Sequence, residues 1–341
     1  MVKPRGGTYC TAPVPLLVGA LELMLRGFRV PFLALFATRL CASSSVSPRM
    51  KAVITDVDGT LFSFAGRELS VGNRNALTAC SERGVYVCLA TGRIPGPWFT
   101  ALKKQLPFIG SCVFANGALV VNSQGDPIFT SRLPQEIVAP VVEYTSGGTT
   151  GESESRVCVL AATCLDPTAP YGGLRYCELS PSGAPSAITE LIERAGEPDT
   201  VLLPSLKELT EGSVLKFVIW TLPGEYGWAD MPATVTTLRE RLKGTGATIL
   251  DHGERWCEIL PPGVCKGSGV ERLLDSLDVL PSEVLACGDA ENDVEMLRLA
   301  GVGAAMANAQ PDAISAADVV VASNADDGVA DAVHRFVLDS K

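Results

Sequence analysis

Histidine is nearly missing from this chain: its 341 residues contain two, His252 and His334. That scarcity excludes zinc sites of the His-x-x-x-His type and most other histidine-rich metal centres, which depend on imidazole ligands. Paired cysteines are missing as well. Eleven cysteines are present, an odd number, and no two form a Cys-x-x-Cys pair, so neither a zinc ribbon nor a dithiol redox centre is supported. Several lie inside apolar runs, Cys88 in VYVCLA and Cys112 in SCVFA, and read as small buried hydrophobes of a reducing compartment. Cys88 and Arg93 are separated by four residues, one too few for the cradle of a cysteine phosphatase. Gly301-Val302-Gly303 runs on into Ala304-Ala305-Met306 without a third glycine, so a dinucleotide fingerprint is not supported either.

Basic residues are the minority, 28 against 38 acidic ones, for a net charge of −10. Moreover, Lys3, Arg5, Arg26, Arg29, Arg39 and Arg49 all fall in the first 49 residues, against the single acid Glu22. The body of the chain is therefore more acidic than the whole, which excludes nucleic-acid binding by general electrostatics. No apolar run is long enough to cross a bilayer: PLLVGALELML and VPFLALFA are short and interrupted by Glu22 and Arg26. The basic, serine-containing residues 1–49 instead fit an organellar targeting segment, for a plastid or mitochondrion. The alternative is an extension ahead of a start at Met50 in a cytoplasmic protein.

What is present in quantity is apolar surface, 47% of residues, enough in a chain of this length for two hydrophobic cores. From Lys51 onward, short apolar strands alternate with helical segments. Strands are expected at 52–55, 85–90 and 112–115, and helices at 71–83 and 98–106. The alternation returns after Leu260, with helices at 266–277, 292–300 and 328–338 and strands at 284–287, 302–306 and 319–321. Such alternation predicts a doubly wound parallel sheet covered on both faces. Residues 134–262 are less regular, with helices expected at 135–144, 187–194 and 234–242 and strands at 157–161, 214–220 and 257–260. They read as a second α/β domain inserted into the first, which then comprises 50–133 plus 263–341.

The chemistry-bearing residues cluster where strands end. The first strand runs into Asp56-Val57-Asp58-Gly59-Thr60, and ligands of doubly wound sheets bind at the carboxyl ends of strands. Two acids one residue apart are costly without a nearby positive group, and Gly59 lets the chain turn straight after them. Thr91-Gly92-Arg93 follows the second strand and offers a hydroxyl and backbone N–H groups to a phosphate. Lys266 opens a helix after Pro262-Gly263-Val264-Cys265. The strand VLAC ends in Gly288-Asp289-Ala290-Glu291-Asn292-Asp293, bringing two further carboxylates to the same edge. Each feature alone has a bland reading as a turn or a solvated helix start; their order and placement together do not.

This ordered set resembles the haloacid dehalogenase superfamily of phosphohydrolases, and most closely its Cof-type hydrolases, whose cap is inserted between the second and third motifs. Ala115-Asn116-Gly117-Ala118, Glu258-Ile259-Leu260-Pro261, Ala305-Met306-Ala307-Asn308-Ala309 and Ser323-Asn324-Ala325-Asp326-Asp327-Gly328 match that branch as well. The resemblance covers about 50–133 and 254–338, the cap only by position, and residues 1–49 not at all.

The resemblance implies a Rossmann-like core with an α/β cap and hydrolysis of small phosphorylated metabolites through an aspartyl-phosphate. Asp56 is then the nucleophile and Asp58 the general acid, later base. Asp56, the Asp58 backbone carbonyl and Asp289 hold Mg²⁺, an oxygen-only set suited to a hard cation, while Asp293 supports that shell or orients Lys266. Thr91, Gly92 and Lys266 bind the phosphoryl oxygens; Asn116 and Asn292 lie near the substrate. Two other readings are compatible with the same residues: a phosphotransferase or phosphomutase, and a module that binds a phosphometabolite without turnover. Substrates of this branch include sugar phosphates, pyridoxal phosphate and flavin mononucleotide. Trp220, Tyr226, Trp228 and Trp256 are candidates to stack on a flat ring or to fill the cap core. His252, near the cap boundary, is a candidate substrate contact.

Overall fold

The computed structural model describes residues 50–62, 68–145, 157–164, 170–179, 187–203, 213–221 and 230–339. Along the chain these form β1 (Ala52–Thr55), α1 (Val71–Glu82), β2 (Tyr86–Ala90), α2 (Pro97–Gln105), β3 (Cys112–Phe114), β4 (Leu119–Val121) and β5 (Pro127–Thr130). The inserted part follows: α3 (Gln135–Thr145), β6 (Val157–Cys164), β7 (Leu174–Leu179), α4 (Ala187–Arg194), β8 (Val201–Leu203), β9 (Val214–Thr221), α5 (Met231–Arg241), β10 (Thr248–Asp251) and β11 (Trp256–Leu260). The chain then returns through α6 (Lys266–Leu277), β12 (Val284–Gly288), α7 (Val294–Leu299), β13 (Val302–Met306), α8 (Pro311–Ala316), β14 (Val319–Val321) and α9 (Gly328–Val333).

The core sheet has the order β14-β13-β12-β1-β2-β3-β4-β5. It is parallel from β14 to β3, and β3, β4 and β5 close one edge as an antiparallel meander. The two-residue period of β1 shows why both faces are covered. Val53 joins one apolar cluster with Leu77 of α1, Phe99 of α2 and Val333 of α9. Ala52 and Ile54 join another with Leu273 of α6 and Leu297 of α7. A strand buried on both faces must be apolar throughout, as AVIT is until its last residue. Local signals place the helices: Ser70 caps α1 by accepting from Asn73 N at 3.0 Å, worth about 1 kcal/mol. Gly84, at φ 75°, follows its end.

The cap sheet has the order β10-β11-β9-β6-β7-β8 and is antiparallel except for β7 with β8. Its outer face, with Ala161, Phe217, Ile219 and Ile259, packs on Val141 of α3 and Leu238 of α5. Its inner face, with Leu160, Tyr176 and Val218, belongs to the same apolar cluster as the core strands.

Several elements differ from expectation. The helix expected at 292–300 starts as a 3-10 turn over Glu291–Asp293, because Asp293 folds its side chain back onto the N–H groups of Asp289 and Ala290. The last helix is α-helical only to Val333 and widens into a π turn over His334–Leu338. The strands β4, β5, β7, β8 and β10 and helix α8 are elements that the expected pattern does not contain. Among the described residues, Cys80, Cys88, Cys112, Cys177, Cys257 and Cys287 are free and buried, and burial pushes the Cys88, Cys257 and Cys287 thiols up to about 12. No helix among the described residues is long and apolar enough to cross a membrane.

Candidate active site

The central strand β1 delivers Asp56 to the carboxyl end of the sheet, where the Asp56 N–H donates to Cys287 O of the neighbouring β12 at 2.9 Å. Gly59, at φ 83°, turns the chain away immediately afterwards, and Asn308 Nδ2 holds its carbonyl at 2.9 Å. Asp56 is 5% exposed. Lys266, the first residue of α6, extends its Nζ to Asp56 Oδ1 and to Asp293 Oδ1, each at 2.5 Å. The other oxygen of Asp293 accepts from the N–H groups of Asp289 and Ala290, at 2.9 and 3.0 Å. Asp289 Oδ1 accepts from Thr60 Oγ1 at 2.8 Å.

Carboxylate oxygens of Asp56, Asp289 and Asp293 lie within 4.8 Å of one another. Burial, opposed by Lys266 and reinforced by the neighbouring acids, holds the Asp56 carboxyl well above the usual range. Burial and Asp293 push Asp289 up to about 6. The cluster thus carries more negative charge than one lysine offsets, and its oxygen donors fit a hard divalent cation.

The second loop of the edge follows β2. Thr91 is 1% exposed, and its Oγ1 accepts from Arg93 N at 3.1 Å. Arg93 turns toward Asp58, with Nε on Oδ2 at 2.6 Å and Nη2 on Oδ1 at 2.7 Å. Its remaining terminal nitrogen reaches into the cap, to Ala195 O at 3.1 Å and Glu197 Oε1 at 3.6 Å. The third loop follows β3, where Ala115 and Asn116 both take left-handed conformations at φ 50° and 52°, an unfavourable state for residues other than glycine. Asn116 does not face open space: its Nδ2 donates to Glu258 Oε2 at 2.6 Å, and its Oδ1 accepts from Asn292 Nδ2 at 2.9 Å.

A cavity of about 610 Å³ lies between the cap sheet and these loops. Asp56, Asp58, Thr91, Gly92, Asp289 and Asn292 line its floor; Lys266, Asp293 and Asn116 stand behind them. The roof is the inner face of the cap sheet. There the rings of Trp220 on β9, Trp256 on β11 and His252, just past the end of β10, form a ladder: Trp220 on Trp256 at 5.1 Å and 12°, His252 on Trp256 at 3.6 Å and 10°. Tyr226 and Trp228 lie outside the described residues. Sequence reasoning did not single out Arg93, Lys216, Glu197 or Glu258 as site residues. For Lys216 the signal was available, a lone cation inside the apolar strand VLKFVIWT.

A family model of haloacid dehalogenase-like hydrolases matches residues 53–152 and 210–333. The chain belongs to that family of enzymes, with the inserted cap of the Cof-type branch. It is similar to a 5-amino-6-(5-phospho-D-ribitylamino)uracil phosphatase of Bacillus subtilis, at 28% identity over 82% of this chain and 94% of that one. A chloroplastic endoribonuclease of Arabidopsis thaliana is 28% identical over 85% of this chain, which spans about half (47%) of that relative's length. Among solved structures, a haloacid dehalogenase-like hydrolase from Bacteroides thetaiotaomicron aligns with 84% of this chain and 99% of its own, at 26% identity and a TM-score of 0.67.

Proposed function

We propose that this enzyme is a magnesium-dependent phosphatase that hydrolyses a small phosphomonoester bearing a planar ring, through an aspartyl-phosphate on Asp56. The observation that carries this reading is the contact of Lys266 with both Asp56 and Asp293 at the end of the central strand, with Asp289 alongside. Asp56, Asp289 and the backbone carbonyl of Asp58 are the groups to hold Mg²⁺, which, when bound, supplies positive charge against the carboxylates and the phosphoryl oxygens.

Lys266 occupies Asp56 Oδ1, so Oδ2 is the nucleophile. It attacks phosphorus while the bond to the leaving oxygen breaks, with the Thr91 hydroxyl and the Lys266 ammonium stabilising the phosphoryl oxygens. Asp58 gives a proton to the leaving oxygen. It then takes one from a water whose oxygen attacks phosphorus, which breaks the bond to Asp56 Oδ2 and releases phosphate.

The ladder of Trp220, Trp256 and His252 on the cavity roof supports a flat leaving group. The Bacillus relative, named for a phosphorylated uracil, is consistent with this. The test is a phosphometabolite panel on wild type and Trp256→Leu. The variant should lose about tenfold in kcat/KM on ring substrates, as expected for a stacking contact of about 1–1.5 kcal/mol, and little on glycerol phosphate. Equal activity of the variant on both classes removes the ring reading, and no free phosphate from any substrate removes the phosphatase.

We also assign residues 1–49 as an organellar targeting segment, on their basic, acid-poor composition and the chloroplastic relative. A fluorescent reporter fused behind these residues should enter a plastid or mitochondrion; a diffuse cytosolic signal overturns the assignment.

A further inference from the structure

Two cap residues that line the cavity roof spend their polar groups on the loops at the sheet edge. Lys216, on β9, is 1% exposed. Its Nζ donates to Gly92 O in the core at 2.7 Å and to Glu258 Oε1 of β11 at 2.9 Å. Glu258, 3% exposed, passes the chain on through Oε2 to Asn116 and thence to Asn292. The loops that follow β2, β3 and β12 are therefore joined through one cap ion pair.

The arm to Gly92 bears on the phosphate site through covalent geometry. A peptide unit is planar, with its C=O and N–H pointing in opposite directions. The carbonyl of Gly92 and the N–H of Arg93 belong to the same unit, so a lysine fixed on the first fixes the direction of the second. That N–H donates to Thr91 Oγ1 at 3.1 Å, which occupies a lone pair of the hydroxyl and leaves its proton to be donated elsewhere. The loops are also tightly apposed: a Cβ on Gly92 would stand 3.1 Å from Asn116 Nδ2 and 3.2 Å from its Oδ1. Burying an ion pair is costly, and its return in stability is often small. A pair within the cap whose remaining bonds go to a backbone carbonyl and an amide of the core loops is better explained by the position it enforces.

We propose that Lys216 and Glu258 are positioning residues that transmit the seating of the cap to the phosphate-binding loop, orienting the Thr91 hydroxyl through the Gly92–Arg93 peptide. This rests on the phosphatase reading given above. Because the pair acts on the phosphoryl cradle and not on the leaving group, its loss affects all substrates alike. It also weakens the binding of a phosphoryl mimic that has no leaving group at all.

The test uses the full chain with magnesium and two variants. Lys216→Met strands a buried carboxylate and is expected to be less stable, so the neutral pair Lys216→Met with Glu258→Gln carries the comparison. Its kcat/KM should fall about tenfold or more, as misplacement at a reacting centre does. The fall should be equal on p-nitrophenyl phosphate and glycerol phosphate, with a parallel weakening of orthovanadate inhibition and a melting temperature near that of wild type. Unchanged vanadate affinity, or a loss confined to one substrate, overturns the proposal and makes the pair a stabilising or leaving-group contact. If both variants melt early yet bind vanadate as wild type does, the role is structural and the proposal fails. A wild-type chain that neither releases phosphate nor binds vanadate removes the phosphatase reading itself, and this inference with it.

Discussion

Arg93 grips both carboxylate oxygens of Asp58, the general acid of the proposed reaction, through a fork of two hydrogen bonds at 2.6 and 2.7 Å. The Asp58 side chain is nevertheless 43% exposed and faces the cavity. To protonate a leaving oxygen it must give up at least one of these bonds, and fork geometry makes the pair directional as well as strong. The leaving group separates the two duties of Asp58. An alkoxide needs its proton, whereas p-nitrophenolate departs with little help. Asp58→Asn should lose far more rate in phosphoenzyme formation with glycerol phosphate than with p-nitrophenyl phosphate. With the aryl substrate, dephosphorylation becomes limiting, and acid-quenched protein retains phosphate on Asp56. Single-turnover measurements decide the matter; equal first-step losses with no trapped phosphoenzyme would reduce Asp58 to a structural partner of Arg93.

Asp56→Asn should abolish turnover without unfolding the protein. An amide is a poor nucleophile, yet Lys266 keeps Asp293 as its partner at 2.5 Å. Burial and three neighbouring acids disfavour the charge on Asp56, so its removal relieves repulsion. The expected melting temperature is equal to or above that of wild type, measured by calorimetry in EDTA. Wild-type activity in this variant would refute the mechanism.

Metal removal should silence the enzyme. Treatment with EDTA is expected to abolish phosphate release, Mg²⁺ to restore it, and Ca²⁺ to restore it poorly, since Ca²⁺ accepts more ligands at longer distances. Mg²⁺ should also raise the melting temperature, because it binds the folded cluster and not the unfolded chain. Full activity of metal-free protein contradicts the assignment of Asp56 and Asp289.

Glu197 makes stability depend on pH. Burial, outweighing Arg93 and Lys216, pushes its carboxyl from 4.5 up to about 7, and its Oε2 has no hydrogen-bond partner. A carboxyl raised in the folded state binds more protons there than in the unfolded chain. Its contribution to stability therefore declines as pH rises from about 4.5 to about 7, by on the order of 3 kcal/mol. Glu197→Gln should remove that decline, melting close to wild type at pH 4.5 and above it at pH 8. Parallel pH profiles for the two proteins would show that Glu197 is not the group responsible.

Much of the candidate site's edge was legible because it is built from backbone-local signals. Asp56, Thr91, Lys266 and Asp289 each sit where an apolar strand stops or a capped helix starts, and each is a residue type with few other uses there. Helix Lys266–Leu277 follows its expected bounds for the same reason: Gly263 lies at φ 69° ahead of it, and Cys265 caps it through Ser268. The cap was less legible. Its strands β8 and β10 are short and partly exposed, β7 breaks its apolar run with Arg175 and Glu178, and their pairing is decided by tertiary neighbours. The Asn116 amide shows the limit most clearly. Its place in the edge follows from the strand before it, but its partners Glu258 and Asn292 lie 142 and 176 residues away. No periodicity encodes contacts of that range. His252 likewise reads in sequence only as a candidate substrate contact near the cap boundary; the register of β9, β10 and β11 is what brings it into line with two tryptophans.

The insertion of the cap also sets a timetable for folding. β1 occupies the middle of the core sheet, yet one of its two neighbours is β12, paired from Ala52 with Val284 to Thr55 with Cys287. On a ribosome, β1 and β2 emerge early, and the flank that β12 will cover stays an open strand edge while the whole cap is synthesised. Parallel pairing across such a separation is slow, and an uncovered apolar edge invites association with other chains. The backbone N–H of Asp56 itself waits for Cys287 O. Asp56 therefore acquires its final position only once β12 has been made, and an aborted chain that ends before β12 carries Asp56 and Asp58 without Asp289.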